Sequence, residues 1–215
     1  MPTKAELITA IDGMANYLNQ VSQWYVIGAE PFGQIEADTE VSYVFEFYCY
    51  IRFVNELSIV GNRITFYNNG FMGNLFPKGP AEKNQGWAKF EIRDHHDQII
   101  YDVCAGVMIH TGIPNYTYAA DISIQDPVQI PHAHNTFLIV DAKFKTNPNH
   151  QIPIRQLREF KAVLIDLGFP KGNPNATLLG TSFAISSIVT NGQTNAYHIQ
   201  YSTVNGFNQI GNFHP

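Results

Sequence analysis

The chain has 215 residues, of which 45% are hydrophobic and 14% charged, and its formal net charge is -5. This composition excludes an intrinsically disordered chain and provides enough apolar residues for the core of one domain. The acidic balance argues against a broad basic surface for nucleic acid. The sequence has no apolar run long enough to span a membrane and no signal-peptide core, so we expect a cytoplasmic protein with no membrane contact.

The N-terminal quarter predicts two helices. Thr3 and Glu6 have the spacing of a capping box, and apolar residues recur at helical spacing through a helix over 3–24. A loop rich in Gly and Pro follows at 28–38. The segment 39–58 is apolar nearly all round, which predicts a second, buried helix. Cys49, within it, and Cys104 further on lie in apolar segments, so we expect two buried free thiols.

The remainder predicts strands and one more helix. Strands are expected at 63–67, 87–92, 99–110, 119–124 and 137–144, followed by a helix over 153–167. Two last strands, 182–190 and 196–204, bracket the hairpin signal Thr190–Gln193, and the tail 205–215 should be loosely held. We therefore predict an α/β (α+β) fold, a mixed central sheet flanked by helices in a single domain over 1–215. Its parts would be N-terminal helices 3–58, a catalytic core 46–167 and a C-terminal hairpin 182–204.

The strongest functional signal is the stretch Phe137-Leu-Ile-Val-Asp141-Ala142-Lys143. It reads as a buried strand that ends in a carboxylate and an ammonium on the same face, because side chains two apart on a strand point the same way. Charges there are costly unless an ion or a phosphate compensates them. Asp121, at the start of another strand, supplies a second carboxylate. Mg²⁺, for which Mn²⁺ would substitute, prefers such oxygen ligands, with the Ala142 carbonyl as a third. The pattern predicts a phosphodiester-cleaving site in which Lys143 positions water and offsets charge.

Asp121 followed by Asp141-Ala142-Lys143 resembles the signature of the PD-(D/E)xK nucleases, which have the restriction-endonuclease-like fold. The form Val-Asp-Ala-Lys-Phe-Lys is similar to that of nuclease subunits of modification-dependent restriction systems. Phe45-Glu46-Phe47-Tyr48-Cys49 resembles a helix of the same group whose glutamate reaches the metal site. The resemblance implies that Glu46 joins the metal ligands.

A glutamine on the helix after the Asp-x-Lys strand completes the resemblance. Gln156-Leu-Arg-Glu-Phe160 is similar to the Gln-x-x-x-Tyr element of several of these families, which makes Gln156 a candidate site residue. Two positions depart from the pattern. Ala120 replaces the signature proline, which shapes the strand entry, and Phe160 lacks the tyrosine hydroxyl.

The expected function is a Mg²⁺-dependent DNA endonuclease, and the resemblance implies a role in restriction or anti-phage defence. Cutting duplex DNA needs two active sites, so a homodimer or a partner targeting subunit is expected. One alternative is a catalytically inactive structural or binding subunit of the same fold, and another is a β-rich ligand-binding protein. A zinc site at His132-Ala133-His134 would need two further ligands that no motif identifies. Tyr118 belongs to an aromatic group that predicts packing rather than base stacking.

Overall fold

The computed structural model describes residues 2–22, 35, 40–68, 70, 72, 74–169 and 180–215, so most of the expected loop 28–38 lies outside the described residues. The helices are α1 Lys4–Ser22, α2 Val41–Ile59, α3 Ile154–Asp166 and α4 Ala196–Val204. The strands are β1 Arg63–Tyr67, β2 Lys89–Arg93, β3 Ile99–Ala105, β4 Met108–His110, β5 Thr117–Ala119, β6 Ile122–Gln125, β7 Thr136–Lys143, β8 Ser187–Thr190 and β9 Asn208–Ile210. No helix in these ranges is both long and apolar enough to cross a membrane.

The central sheet has the order β1-β2-β3-β6-β7-β8-β9. The first four pairings are antiparallel, whereas β7–β8 and β8–β9 are parallel. The structure thus confirms the predicted α/β class with a mixed central sheet. A separate antiparallel pair, β4 and β5, stands beside this sheet.

Apolar side chains on the two faces of the sheet form two separate clusters. On one face α1 and α2 pack against the sheet, and α2 is buried on nearly all sides, as its sequence predicts. On the other face α3 packs with Phe207 over residues such as Ile139 and Ile188. Along β7 the side chains alternate, so Leu138, Val140 and Ala142 join the α2 cluster and Ile139 joins the α3 cluster.

The elements of the N-terminal half follow the sequence closely. The Thr3–Glu6 capping box forms, with the Thr3 N–H donating to Glu6 at 2.7 Å and the Glu6 N–H donating to Thr3 at 3.2 Å. Both cysteines are free and buried. The long strand expected at 99–110 is interrupted because Gly106, at φ +59°, turns the chain between β3 and β4.

The prediction of a C-terminal hairpin over 182–204 is wrong. β8 is parallel to β7, and 196–204 is the helix α4 rather than a strand. Parallel neighbours cannot be joined by a tight turn, so α3 forms part of the connection from β7 to β8, and α4 connects β8 to β9. Asn195 starts α4 because its side chain accepts a hydrogen bond from the backbone N–H of His198.

The expectation of a loosely held tail is also wrong. The tail contributes the edge strand β9, and Phe207 and Phe213 are buried in the two apolar clusters. Their burial gives the end of the chain enough apolar contact to hold it in place.

Candidate active site

Asp141 and Lys143 lie at the end of β7 on the face that α3 covers. The alternation along the strand dictates this placement, since Ile139 lies two residues before Asp141. Lys143 Nζ lies 2.7 Å from Asp141 Oδ1, and the two side chains are 30% and 13% exposed. The pair is therefore only partly desolvated and stays open to solvent and to a ligand.

Asp121 lies in the bend between β5 and β6, where the chain enters the central sheet. Its Oδ2 accepts a hydrogen bond from the Ala142 backbone N–H at 2.6 Å, and its carbonyl accepts one from the Gly106 N–H at 3.2 Å. These bonds fix the carboxylate directly beside the Asp141-Ala142-Lys143 segment. Here Ala142 contributes its N–H, and a ligand role for its carbonyl stays a prediction.

A cleft of about 380 Å³ gathers most of the sequence-predicted site. Its lining residues include Asp121, Asp141, Lys143 and, from α3, Gln156 and Glu159. Gln156 Oε1 is buried and accepts no hydrogen bond from any described residue. An unpaired buried amide oxygen is costly, and it is the type of group that a bound ligand or water satisfies.

Glu46 reaches the site from the opposite side. It stands on α2 and lines a second cavity, of about 230 Å³, which shares Ala119 and Asp121 with the cleft. Asp121 therefore lies between the two cavities. The helix expected to carry Glu46 forms as predicted, and it brings this carboxyl toward Asp121 rather than toward solvent.

The pKa values show that the four charged groups interact. Burial raises the pKa of the Glu46 carboxyl to about 7; Lys143 opposes this rise and Asp141 adds to it. Burial, Asp141 and Glu46 raise the pKa of Asp121 well above its usual range, although Lys143 and the Ala142 N–H oppose them. Burial alone would lower the pKa of Lys143, but Asp141, Asp121 and Glu46 outweigh it and leave that pKa raised. One lysine therefore faces three carboxyl groups in a partly desolvated site.

No model of a known protein family matches this chain, and no curated protein or solved structure matches it either. Function is therefore inferred from the geometry and electrostatics of these residues.

The donor groups of the site suit a metal ion by their chemistry but are not arranged around one. Among the described residues, no three His, Cys, Asp or Glu side chains stand close enough together to hold a metal ion. Asp141 is paired with Lys143, and Asp121 with a backbone N–H. The donor chemistry nevertheless suits Mg²⁺, which takes carboxylate oxygens together with waters and phosphate oxygens. Binding would require these side chains to rearrange, and the charge of the ion would oppose the burial and the carboxylate charges that raise the pKa values of Glu46 and Asp121.

Tyr118 is a cleft residue that sequence reasoning assigned only to packing. It lines the cleft beside Asp121 and Asp141. Burial first, and then the charges of Asp141 and Asp121, raise the pKa of its phenol, so it remains a neutral hydrogen-bond donor. Its position on the short strand that runs into the bend at Asp121 was the one available signal.

His110, His132 and His134 lie in a group of their own. The ring centroid of His132 lies 5.6 Å from that of His134 and 5.4 Å from that of His110. The His132 backbone N–H donates to the Asn135 side-chain oxygen at 2.7 Å, and the His132 carbonyl accepts the Asn135 N–H at 3.1 Å. None of these histidines lines the cleft or the cavity beside Glu46.

Proposed function

We propose that this protein is a Mg²⁺-dependent deoxyribonuclease that hydrolyses phosphodiester bonds at the cleft between β7 and α3. The observation that carries the proposal is the grouping of Asp121, Asp141 and Lys143 in one cleft, with Asp121 held by the Ala142 N–H at 2.6 Å and electrostatically linked to Glu46. Three acids and one lysine match the needs of phosphodiester hydrolysis, which requires charge stabilisation and an oriented water.

In this proposal Asp121, Asp141 and Glu46 would hold the metal after rearrangement, and the Ala142 carbonyl is a further candidate ligand. When bound, Mg²⁺ would supply Lewis acidity and lower the pKa of a coordinated water. Lys143 would orient the attacking water and offset the charge that develops on the phosphate. Asp141 would position the Lys143 ammonium through their ion pair, and Gln156 would contact a phosphate oxygen or the water.

The test compares cleavage of supercoiled plasmid and linear duplex DNA, with Mg²⁺ or Mn²⁺, by the wild type, Lys143→Ala and Asp141→Ala. We expect metal-dependent cleavage that each substitution reduces by about 100-fold or more, as for loss of a group that stabilises transition-state charge. Lys161→Ala and Asp166→Ala, which make the same charge changes on α3 at residues that do not line the cleft, should retain activity.

Absence of both cleavage and metal binding in the wild type would contradict the proposal. It would favour the alternative, a binding subunit of the same fold. The proposed role in restriction or anti-phage defence, and a partner subunit or second copy for duplex cleavage, would be tested only after activity is established.

A further inference from the structure

The cavity beside Glu46 is separate from the cleft that holds the Asp141–Lys143 pair. Tyr43, Phe47 and Tyr50 of α2 form one wall, and the segment 77–80 forms another. Asp121 lies at the boundary with the cleft. A DNA strand whose scissile phosphate lay at Asp121 would therefore place a neighbouring nucleotide at this cavity.

Small residues create the space opposite the aromatic wall. Ala105, Gly106, Ala119 and Ala120 face it, so the cavity is not filled from the sheet side. Gly106 has φ +59°, and a Cβ there would lie 3.2 Å from Pro77 Cβ, so only glycine fits this close approach without strain. The cavity of about 230 Å³ therefore has one wall of aromatic side chains and one wall of glycine and alanine residues.

Tyr43 and Lys78 give the cavity the features of a base-stacking platform. Lys78 Nζ lies over the Tyr43 ring, 5.8 Å from its centroid, and Lys78 is exposed. An aromatic ring can stack on any base, and an exposed ammonium that moves off the ring can contact the backbone phosphate. The Tyr43 hydroxyl donates to the Pro77 carbonyl at 3.4 Å and the Tyr50 hydroxyl to the Val103 carbonyl at 2.8 Å, but Tyr50 is fully buried whereas Tyr43 is only partly buried.

The charge around the two cavities disfavours intact duplex. Their lining residues include two lysines, Lys78 and Lys143, and four acids: Glu46, Asp121, Asp141 and Glu159. Duplex binding relies largely on cationic contacts to many phosphates, and this lining provides few. An unpaired strand can gain affinity from stacking instead.

We propose that the cavity receives the base of an unpaired nucleotide next to the scissile phosphate, so that the substrate is single-stranded DNA or a single-stranded segment within a duplex. That this DNA is a substrate rests on the proposed nuclease function. The binding of the base rests only on the cavity and can be measured without cleavage.

The first experiment measures binding by fluorescence anisotropy in Lys143→Ala protein with Mg²⁺, using a labelled oligonucleotide as single strand and as duplex. Single strand should bind more tightly. Adding Tyr43→Ala should weaken its binding about tenfold, whereas Tyr43→Phe, which keeps the ring, should not. Tyr197→Ala removes a tyrosine that is 62% exposed on α4 and is the matched control.

A second variant fills the cavity instead of removing its wall. Gly79 lines the cavity, and a Cβ built there meets nothing within 4 Å, so Gly79→Leu should fold normally and obstruct the space. It should weaken single-strand binding as Tyr43→Ala does. A 2-aminopurine base in the oligonucleotide should lose fluorescence on binding to Lys143→Ala protein and not to the version that also carries Gly79→Leu.

Cleavage kinetics of the otherwise wild-type enzyme separate the two proposals. Single-stranded or gapped substrate should be cut faster than intact duplex, and Tyr43→Ala should raise KM more than it lowers kcat. Metal-dependent cleavage with equal affinity for both forms, unaffected by Tyr43→Ala and Gly79→Leu, would overturn the base-binding cavity and leave the nuclease. Tyr43-dependent binding of single strand without cleavage of any substrate would overturn the nuclease and leave the cavity.

Discussion

The backbone N–H of Ala142 and the carboxylate of Asp121 are joined by a 2.6 Å hydrogen bond across 21 positions of sequence. This bond ties the bend before β6 to the end of β7, although the two strands already pair in the sheet through Ile122 and Val140. Ala142 is buried in the α2 cluster while its neighbours Asp141 and Lys143 face α3, so the N–H between them points along the sheet at Asp121. The site thus depends on β7 for both its ion pair and the orientation of the second acid.

Replacing Asp121 with asparagine should separate charge from hydrogen bonding. The amide oxygen of asparagine can still accept the Ala142 N–H, so the fold should be kept, and loss of a buried negative charge should leave stability equal or higher. Cleavage should fall by about 100-fold or more if this acid serves a charged transition state. Plasmid cleavage and thermal unfolding of the same preparations measure the two effects. Full activity in Asp121→Asn would remove this residue from the mechanism.

A bound metal should stabilise the folded wild type, independently of any activity. A ligand that binds only the folded state at 100 times its Kd adds about 2.7 kcal/mol, which corresponds to an increase in Tm of several degrees. We expect Mn²⁺ to raise the Tm of the wild type and to have little effect on Asp121→Asn. Differential scanning fluorimetry with and without Mn²⁺ measures this, with Asp166→Asn as the control. An equal shift in all three proteins would indicate binding elsewhere.

Glu46 should make stability depend on pH. Its pKa rises from 4.5 to about 7 on folding, so the folded state binds the proton more tightly than the unfolded state does. The resulting stabilisation is present in full below pH 4.5 and is lost as the pH rises through about 7.

Glu46→Gln keeps the shape and removes this titration. In metal-free buffer the variant should be more stable than the wild type at pH 8, by on the order of 2 kcal/mol, and nearly equal to it at pH 5. Urea unfolding at both pH values tests this, and Asp166→Asn, an exposed carboxyl on α3, provides the comparison. A difference that does not change with pH would mean that the Glu46 carboxyl is solvated.

Asp102 stabilises the fold from the face of β3 that points away from α2. It is fully buried, and Lys83 Nζ and Lys89 Nζ each lie 2.7 Å from its Oδ2. Asp102→Ala would leave two largely buried ammonium groups without their shared partner and should cost about 3–5 kcal/mol.

The exposed Arg155–Glu159 ion pair on α3 provides the comparison for the buried Asp102 cluster. Arg155→Ala should change stability by less than about 1 kcal/mol, because solvent screens such a pair. Chemical denaturation of the two variants compares them directly. A cost for Asp102→Ala no greater than that of Arg155→Ala would show that the lysines reach water when the acid is lost.

Phe207 should anchor the end of the chain. Its ring is fully buried and meets Phe160 edge-on with centroids 5.3 Å apart. Phe207→Ala should destabilise the protein by about 3–5 kcal/mol because of the cavity it leaves. Tyr197→Ala, on the exposed face of α4, should have an effect within about 0.5 kcal/mol. Similar unfolding midpoints for both variants would restore the original expectation of a loosely held tail.

Local signals in the sequence determined most of the elements. The Thr3–Glu6 box, the all-round apolar character of α2 and the alternation of β7 depend on residues within a few positions of one another, and each structure formed as predicted. The placement of Asp141 and Lys143 on one face followed from the period of a strand alone.

Only the tertiary structure decided the connections. The sequence of β8 and α4 predicted a hairpin. A short buried strand followed by a turn signal has the same local pattern whether the next element pairs with that strand or connects to a parallel strand. Parallel pairing depends on contacts between distant segments, which local periodicity does not encode. For the same reason the sequence placed Glu46 and Gln156 together in one site, whereas packing of α2 and α3 on opposite faces of the sheet set them in two cavities on either side of Asp121.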